Sequence, residues 1–154
     1  MLVAMALLGV GVVGVAGRLR RISITGESMV PALEPGDRVV VARGGRPRTG
    51  DIVACVDPRD PNRTMVKRVA ATPGGEFQVE GATLVAGSGY IVLGDNSSAS
   101  TDSRNFGPIN ANLIIGRLIF RYLPEHRVGV IWGRRARFAL ETADKHALSV
   151  ENWV

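Results

Sequence analysis

Ser28 sits in Ile24-Thr25-Gly26-Glu27-Ser28-Met29-Val30-Pro31-Ala32-Leu33, and Lys67 sits in Met65-Val66-Lys67-Arg68-Val69. Lys67 and Lys145 are the only lysines among nineteen basic residues; all the others are arginine. Arginine cannot be deprotonated in a protein, whereas a lysine in apolar surroundings can lose its proton near neutral pH and act as a base. A serine hydroxyl is a poor nucleophile until such a base takes its proton. Either residue alone reads equally as a turn serine or a solvated strand lysine. Together they spell a serine nucleophile activated by lysine, a variant of the serine-histidine-aspartate arrangement that needs no metal and no cofactor. The strand period of two puts Met65, Lys67 and Val69 on one face and turns Val66 and Arg68 to the other, so Lys67 gains apolar flanks. Gly26 and Pro31 bracket Ser28 with permissive and fixed backbone angles, as a serine presented on a turn requires.

Further motifs follow in order: Gly50-Asp51-Ile52-Val53, then Pro73-Gly74 after the lysine strand, then the long run Gly94-Asp95-Asn96-Ser97-Ser98-Ala99-Ser100-Thr101-Asp102-Ser103-Arg104-Asn105-Phe106-Gly107-Pro108. With the serine and lysine segments they resemble the type I signal peptidase family from about Ile22 to Tyr122, and the last motif is specific. The resemblance implies Ser28 as nucleophile, Lys67 as general base and Ser100 as the hydroxyl that orients the lysine amine. Asp102 and Arg104 would be the ion pair supporting that loop. Where some bacterial members carry a hydroxyl two residues before the nucleophile, this chain has Gly26, so the oxyanion would rest on the Ser28 backbone N–H with a second donor unassigned. Gly75 stands where the family often has an acidic residue, with Glu76 one step away.

The elements that must hold these residues read as short strands between Gly and Pro punctuation: 38–43, 52–57, 65–72, 76–79, 83–85, 90–93 and 113–122. Turns are expected at 34–37, 58–62 and 80–81, and 128–132 could add a strand. This predicts a mostly β, antiparallel fold of the signal peptidase type, preceded by one N-terminal membrane-anchoring helix. An edge of the sheet beside Ser28 could accept an extended peptide as an added strand.

At 154 residues the chain supports one domain with a real core. Met1–Gly17 carries no charged side chain and is followed by Arg18, Arg20 and Arg21. Seventeen helical residues reach about 25 Å against a hydrocarbon core of about 30 Å, with Leu19, Ile22 and snorkelling arginines extending the span. Residues 1–21 are therefore expected to be a transmembrane anchor with a basic flank, 22–132 the catalytic domain and 133–154 a basic tail. A cleaved signal peptide, suggested by Val15-Ala16-Gly17, and a start lacking a few cytoplasmic residues are the alternatives. The arginines favour a cytoplasmic domain by the positive-inside bias. The resemblance favours the extracytoplasmic side of the cell membrane with a single pass.

A net charge of +5 with aromatics at 5% fits an anionic lipid bilayer better than nucleic acid, because no basic stripe interleaves aromatic residues. One cysteine, Cys55, excludes an intramolecular disulfide and reads as a buried strand residue. His126 and His146 lack spaced partners for a metal and read as surface residues. Three function classes remain. The first is a membrane-anchored serine endopeptidase removing signal peptides from precursor proteins after small residues, or its variant dedicated to one or a few precursors. The second is a self-cleaving repressor-type serine-lysine regulator, and the third is a catalytically silent module on the membrane. The oligomeric state is not encoded in these patterns.

Overall fold

The computed structural model describes residues 18–131 and 133, so residues 1–17 of the anchor expected over 1–21 and residues 134–154 of the tail expected over 133–154 lie outside the described residues. Among the described residues nine strands form: β1 Leu19–Ser23, β2 Arg38–Ala42, β3 Ile52–Asp57, β4 Asp60–Ala71, β5 Glu76–Val79, β6 Ala82–Val85, β7 Ile91–Leu93, β8 Ile114–Leu123 and β9 Gly129–Val130. One antiparallel sheet runs in the order β1-β2-β8-β3-β4-β7 with β9 on β8, and β5 and β6 form a separate hairpin. Among the described residues no helix is long and apolar enough to cross a membrane.

β3 is the centre of the sheet, and its continuous apolar run explains why. Ile52 and Ala54 point into a core with Ile24, Met29, Leu33, Val39, Val41 and Leu118. Val53 and Cys55 point the other way, into a core with Met65, Val69, Tyr90, Val92 and Ile109. A strand covered on both faces carries apolar residues at every position instead of alternating. Register shifts between β2 and β8 and between β3 and β8 bend the sheet. β8 passes close to β2 at Gly116, where a Cβ would lie 2.3 Å from the Ala42 carbonyl oxygen.

Three sequence expectations change. Leu19 and Ile22, enlisted above to lengthen the apolar segment, lie in β1, which pairs with β2 along Leu19–Ser23. Local hydropathy hides this strand because its pairing partner is remote and its exposed arginines suit an edge. The turn expected over 58–62 shrinks to Pro58 and Arg59, because the Asp57 carboxylate accepts from the Arg59 backbone N–H and guanidinium and closes it. β4 therefore begins at Asp60, with Pro61 taken up by the register shift beyond Val56. Of the strand expected over 128–132, Gly129–Val130 forms among the described residues, and residue 132 lies outside them.

The turn that carries Ser28 is clamped from below. Asp37, fully buried, accepts from the Glu34 backbone N–H at 3.0 Å and from Arg121 at 3.1 Å. Arg121 also donates to the Ala32 carbonyl and Arg127 to the Pro31 carbonyl, while Arg127 pairs with Glu34 at 2.6 Å. Asp37→Ala would leave two largely buried guanidiniums without their shared carboxylate. It should lower unfolding free energy by about 3 kcal/mol in urea titrations.

Candidate active site

Ser28 opens a tight turn after β1, closed by bonds from the Val30 N–H to the Glu27 carbonyl and from the Leu33 N–H to the Met29 carbonyl. Met29 and Leu33 bury completely beneath it, so the turn is fixed by its own apolar side chains. The Ser28 carbonyl accepts from the Asn96 backbone N–H at 3.0 Å, and the Asn96 amide donates to the Glu27 carbonyl. The loop after β7 is thereby stitched to the serine turn. The Ser28 N–H has no acceptor among the described residues.

Lys67 is buried in mid-β4, paired with Val53 of β3. Its Nζ donates to Ser100 Oγ at 3.0 Å, and Ser100 Oγ donates to Asp102 Oδ2 at 2.6 Å. Asp102 accepts as well from the Gly94 N–H at 2.8 Å and from the backbone and guanidinium of Arg104. The helical turn Ser103–Phe106 is capped by Asp102, so a single carboxylate serves both the helix and the relay. Gly94 is required by contact: a Cβ there would lie 2.2 Å from Ser100 Oγ and 2.7 Å from the Ser28 carbonyl oxygen.

Burial pushes the Lys67 ammonium below its ordinary value of 10.5, aided by the charges of Arg63 and Arg104 and opposed by Asp102. For Asp102 burial acts upward, but the bonds from Arg104, the Gly94 N–H and Ser100 outweigh it and hold the carboxyl below the usual range. Cys55, buried beside this strand, has its thiol pushed up to about 12 by desolvation and stays neutral. The hydrogen-bond directions matter chemically. Ser100 spends its proton on Asp102, so it offers Lys67 only a lone pair. A neutral lysine must then donate one N–H to Ser100, which leaves the amine lone pair free for another proton.

Ser28 and Lys67 line one cleft of about 280 Å³ with Ile22, Ile24, Val41, Ala54, Val66 and Ile115. The sequence pattern thus finds Ser28, Lys67, Ser100, Asp102 and Arg104 in one neighbourhood. It does not show Gly94 or Asn96 as contacts of the serine turn. Nor does it show that Arg68, turned away from Lys67, is itself buried. Arg68 holds Asp95 through two bonds of 2.8 and 2.6 Å and donates to the Gly50 carbonyl, tying β4 to the serine-rich loop. Glycine followed by a carboxylate at Gly50-Asp51 and Gly94-Asp95 was the available signal.

The family model for signal peptidase, peptidase S26, matches residues 1–88 and 78–123. The chain belongs to this family. It is a serine endopeptidase. It is 38% identical over 113 residues to mitochondrial ATP-independent inner membrane protease subunit 1b of Arabidopsis thaliana, covering 64% of this chain and 67% of that relative. It is 30% identical over 141 residues to signal peptidase I of Leptolyngbya laminosa, covering 69% and 70%. Mitochondrial inner membrane protease subunit 1 of Mus musculus is 35% identical over 111 residues, covering 65% and 67%.

Two outcomes follow for this peptidase. Gly94→Ala should displace Ser100 and, if Ser100 positions the Lys67 amine as proposed below, lower kcat about 100-fold, since a misplacement of about 1 Å caused away from the reacting atoms can cost that much. Steady-state kinetics on a folded variant, verified by circular dichroism, checks it. Lys67→Met should abolish activity yet raise the melting temperature. With a folded pKa below the unfolded value of 10.5, the lysine destabilises the fold fully below its folded pKa. That cost fades as pH rises toward 10.5, so the gap between variant and wild type should narrow across this window. Melting curves between pH 6 and 10 read it directly.

Proposed function

We propose that this chain is a membrane-anchored peptidase that removes signal peptides from precursor proteins after small residues, with Ser28 as nucleophile and Lys67 as general base. The observation that carries this reading is the Lys67-Ser100-Asp102 hydrogen-bond chain in the cleft that Ser28 also lines. Neutral Lys67 takes the Ser28 hydroxyl proton as Oγ attacks the scissile carbonyl carbon. The oxyanion then meets the unpaired Ser28 N–H. The resulting ammonium protonates the leaving amine, and an acyl-serine ester remains. Water, deprotonated by Lys67, hydrolyses the ester and regenerates the hydroxyl. Asp102 with Arg104 positions Ser100, and Ser100 positions the amine.

Substrate entry has a structural rationale. β1 is an edge of the sheet, and the part of β4 before Arg68 has no strand on its side away from β3. Both edges border the cleft, so an extended peptide laid between them would satisfy open backbone groups on either side. Residues 1–17, apolar and uncharged, would anchor the chain in a bilayer with the catalytic domain on the extracytoplasmic side. β1 begins at Leu19, which would hold the cleft close to the membrane surface where precursors emerge.

The full chain in detergent micelles should cleave a precursor peptide with an Ala-X-Ala site in trans. Ser28→Ala should abolish this without altering circular dichroism. Lys67→Arg should be nearly as inactive, because guanidinium accepts no proton. Activity should rise with pH along an ionisation below 10.5, since the base form of Lys67 accumulates as its proton leaves. The His126→Ala, His146→Ala double variant should keep that limb. Cleavage confined to the chain itself would instead favour a self-cleaving regulator. Retained turnover in Lys67→Arg, or loss of the limb in the histidine variant, would overturn the lysine assignment.

A further inference from the structure

The ionisable residues lining the cleft are Arg20, Arg63 and Lys67, with no carboxylate among them. Lys67 belongs to the reacting end. Arg20 and Arg63 lie back from it: Arg63 is four residues before Lys67 along β4, and Arg20 is in β1, eight residues before Ser28. At about 3.3 Å per residue, four residues of strand place Arg63 about 13 Å from Lys67.

Among the described residues neither arginine is closely paired with a carboxylate. Arg63, with a side chain 62% exposed, meets its one ion-pair partner, Asp57, at a loose 3.7 Å. Asp57 is already held by Arg59 through bonds of 2.9 and 2.8 Å, so little of its charge is left for Arg63. Arg20 has no ion pair among the described residues, and its neighbour Arg21 turns away over the Tyr122 ring. Two weakly compensated guanidiniums in a trough whose other lining is apolar side chains and the hydroxyls of Ser23, Thr25, Ser28 and Thr64 create a positive potential that a bound peptide must cross.

We propose that this end of the cleft reads charge, selecting precursors with an acidic side chain three to five residues from the scissile bond and rejecting those with a basic one there. The spacing follows because an extended peptide rises per residue as the flanking strands do. Successive side chains of such a peptide point to opposite faces, so two arginines on opposite walls can serve neighbouring positions. The proposal rests on the peptidase reading of the cleft and adds a selectivity to it.

The test uses the full chain in detergent micelles and Ala-X-Ala peptides in which Asp, Asn or Lys is placed at each position from six residues before the bond to six after it, the two alanines of the site excepted. At one or more positions three to five residues from the bond, Asp should exceed Lys by about tenfold in kcat/KM, as expected for screened ionic contacts in a wet site. The difference should reside in KM and shrink at high salt. In the Arg20→Glu, Arg63→Glu variant the Asp-to-Lys ratio should invert. Because both peptides meet the same Lys67 within each enzyme, the ratio is insensitive to any change that loss of the Arg63 charge makes in that amine. A ratio near one at every position, or a wild-type ratio that survives charge reversal, overturns the proposal. So does a ratio near one accompanied by loss of binding to vesicles containing phosphatidylglycerol, which would assign the arginines to lipid contact. Failure of wild type to cleave even the Asn peptides would strike the peptidase reading itself, which separates the two conclusions.

Discussion

The buried Asp102 carboxylate is the junction on which the catalytic end depends. Donors from the Gly94 N–H, Ser100, and the Arg104 backbone and guanidinium converge on it, and it is wholly shielded from water. An unpaired carboxylate in that position would cost several kcal/mol, so each donor is held in place by the demand for charge compensation. Through Ser100 the same demand reaches Lys67. The electrostatic balance is delicate: Asp102 favours a charged lysine, while burial and the charges of Arg63 and Arg104 favour a neutral one. Arg104 therefore does two things at once, compensating the carboxylate and limiting its pull on the amine.

The sheet supplies the second constraint by remaining open. Among the described residues β1 and the first half of β4 each lack a partner on one side, and exposed edges ordinarily invite self-association. The arginines on β1 and at the start of β4 are the standard remedy, since charges along an edge discourage another copy of the same charged strand. In the proposed mechanism the same edges receive the precursor peptide. A charged border excludes like edges and, by the same field, sorts the peptides admitted. Protection of the edges and the proposed selectivity would then arise from one arrangement.

The fold was legible wherever the sequence carried a local period. β3 and the inward half of β4 announce themselves as apolar runs, and the Glu34-Pro35-Gly36-Asp37 turn forms around Gly36 at φ 94°. The residues of the candidate site were legible because their types are chemically unusual together: a rare lysine, a serine between glycine and proline, and a long Ser-Asp-Arg motif. What stayed hidden depends on contacts between remote segments. β1 is defined by pairing with β2, not by its own hydropathy. Gly94 is defined by how close Ser28 and Ser100 approach it. Asp37 looks like a turn residue until Arg121 and Arg127 arrive from more than eighty residues away. Residues 1–17, 132 and 134–154, where the anchor and tail were expected, lie outside this comparison.

The arginine-rich composition gains a physical meaning from these contacts. Arg68 grips Asp95 through two nitrogens, Arg104 grips Asp102 through two, and Arg121 reaches both Asp37 and a carbonyl. A planar fork with several fixed donors makes such joints, and its charge survives burial because it scarcely deprotonates. Lysine would serve poorly there for the same reason that it suits position 67. Its single nitrogen gives up a proton when desolvated, which is a defect in a structural ion pair and a requirement in a base. A fold that needs several permanent buried cations and, in the proposed mechanism, one labile one is best written with arginine at the ion pairs and lysine at the position proposed for proton transfer.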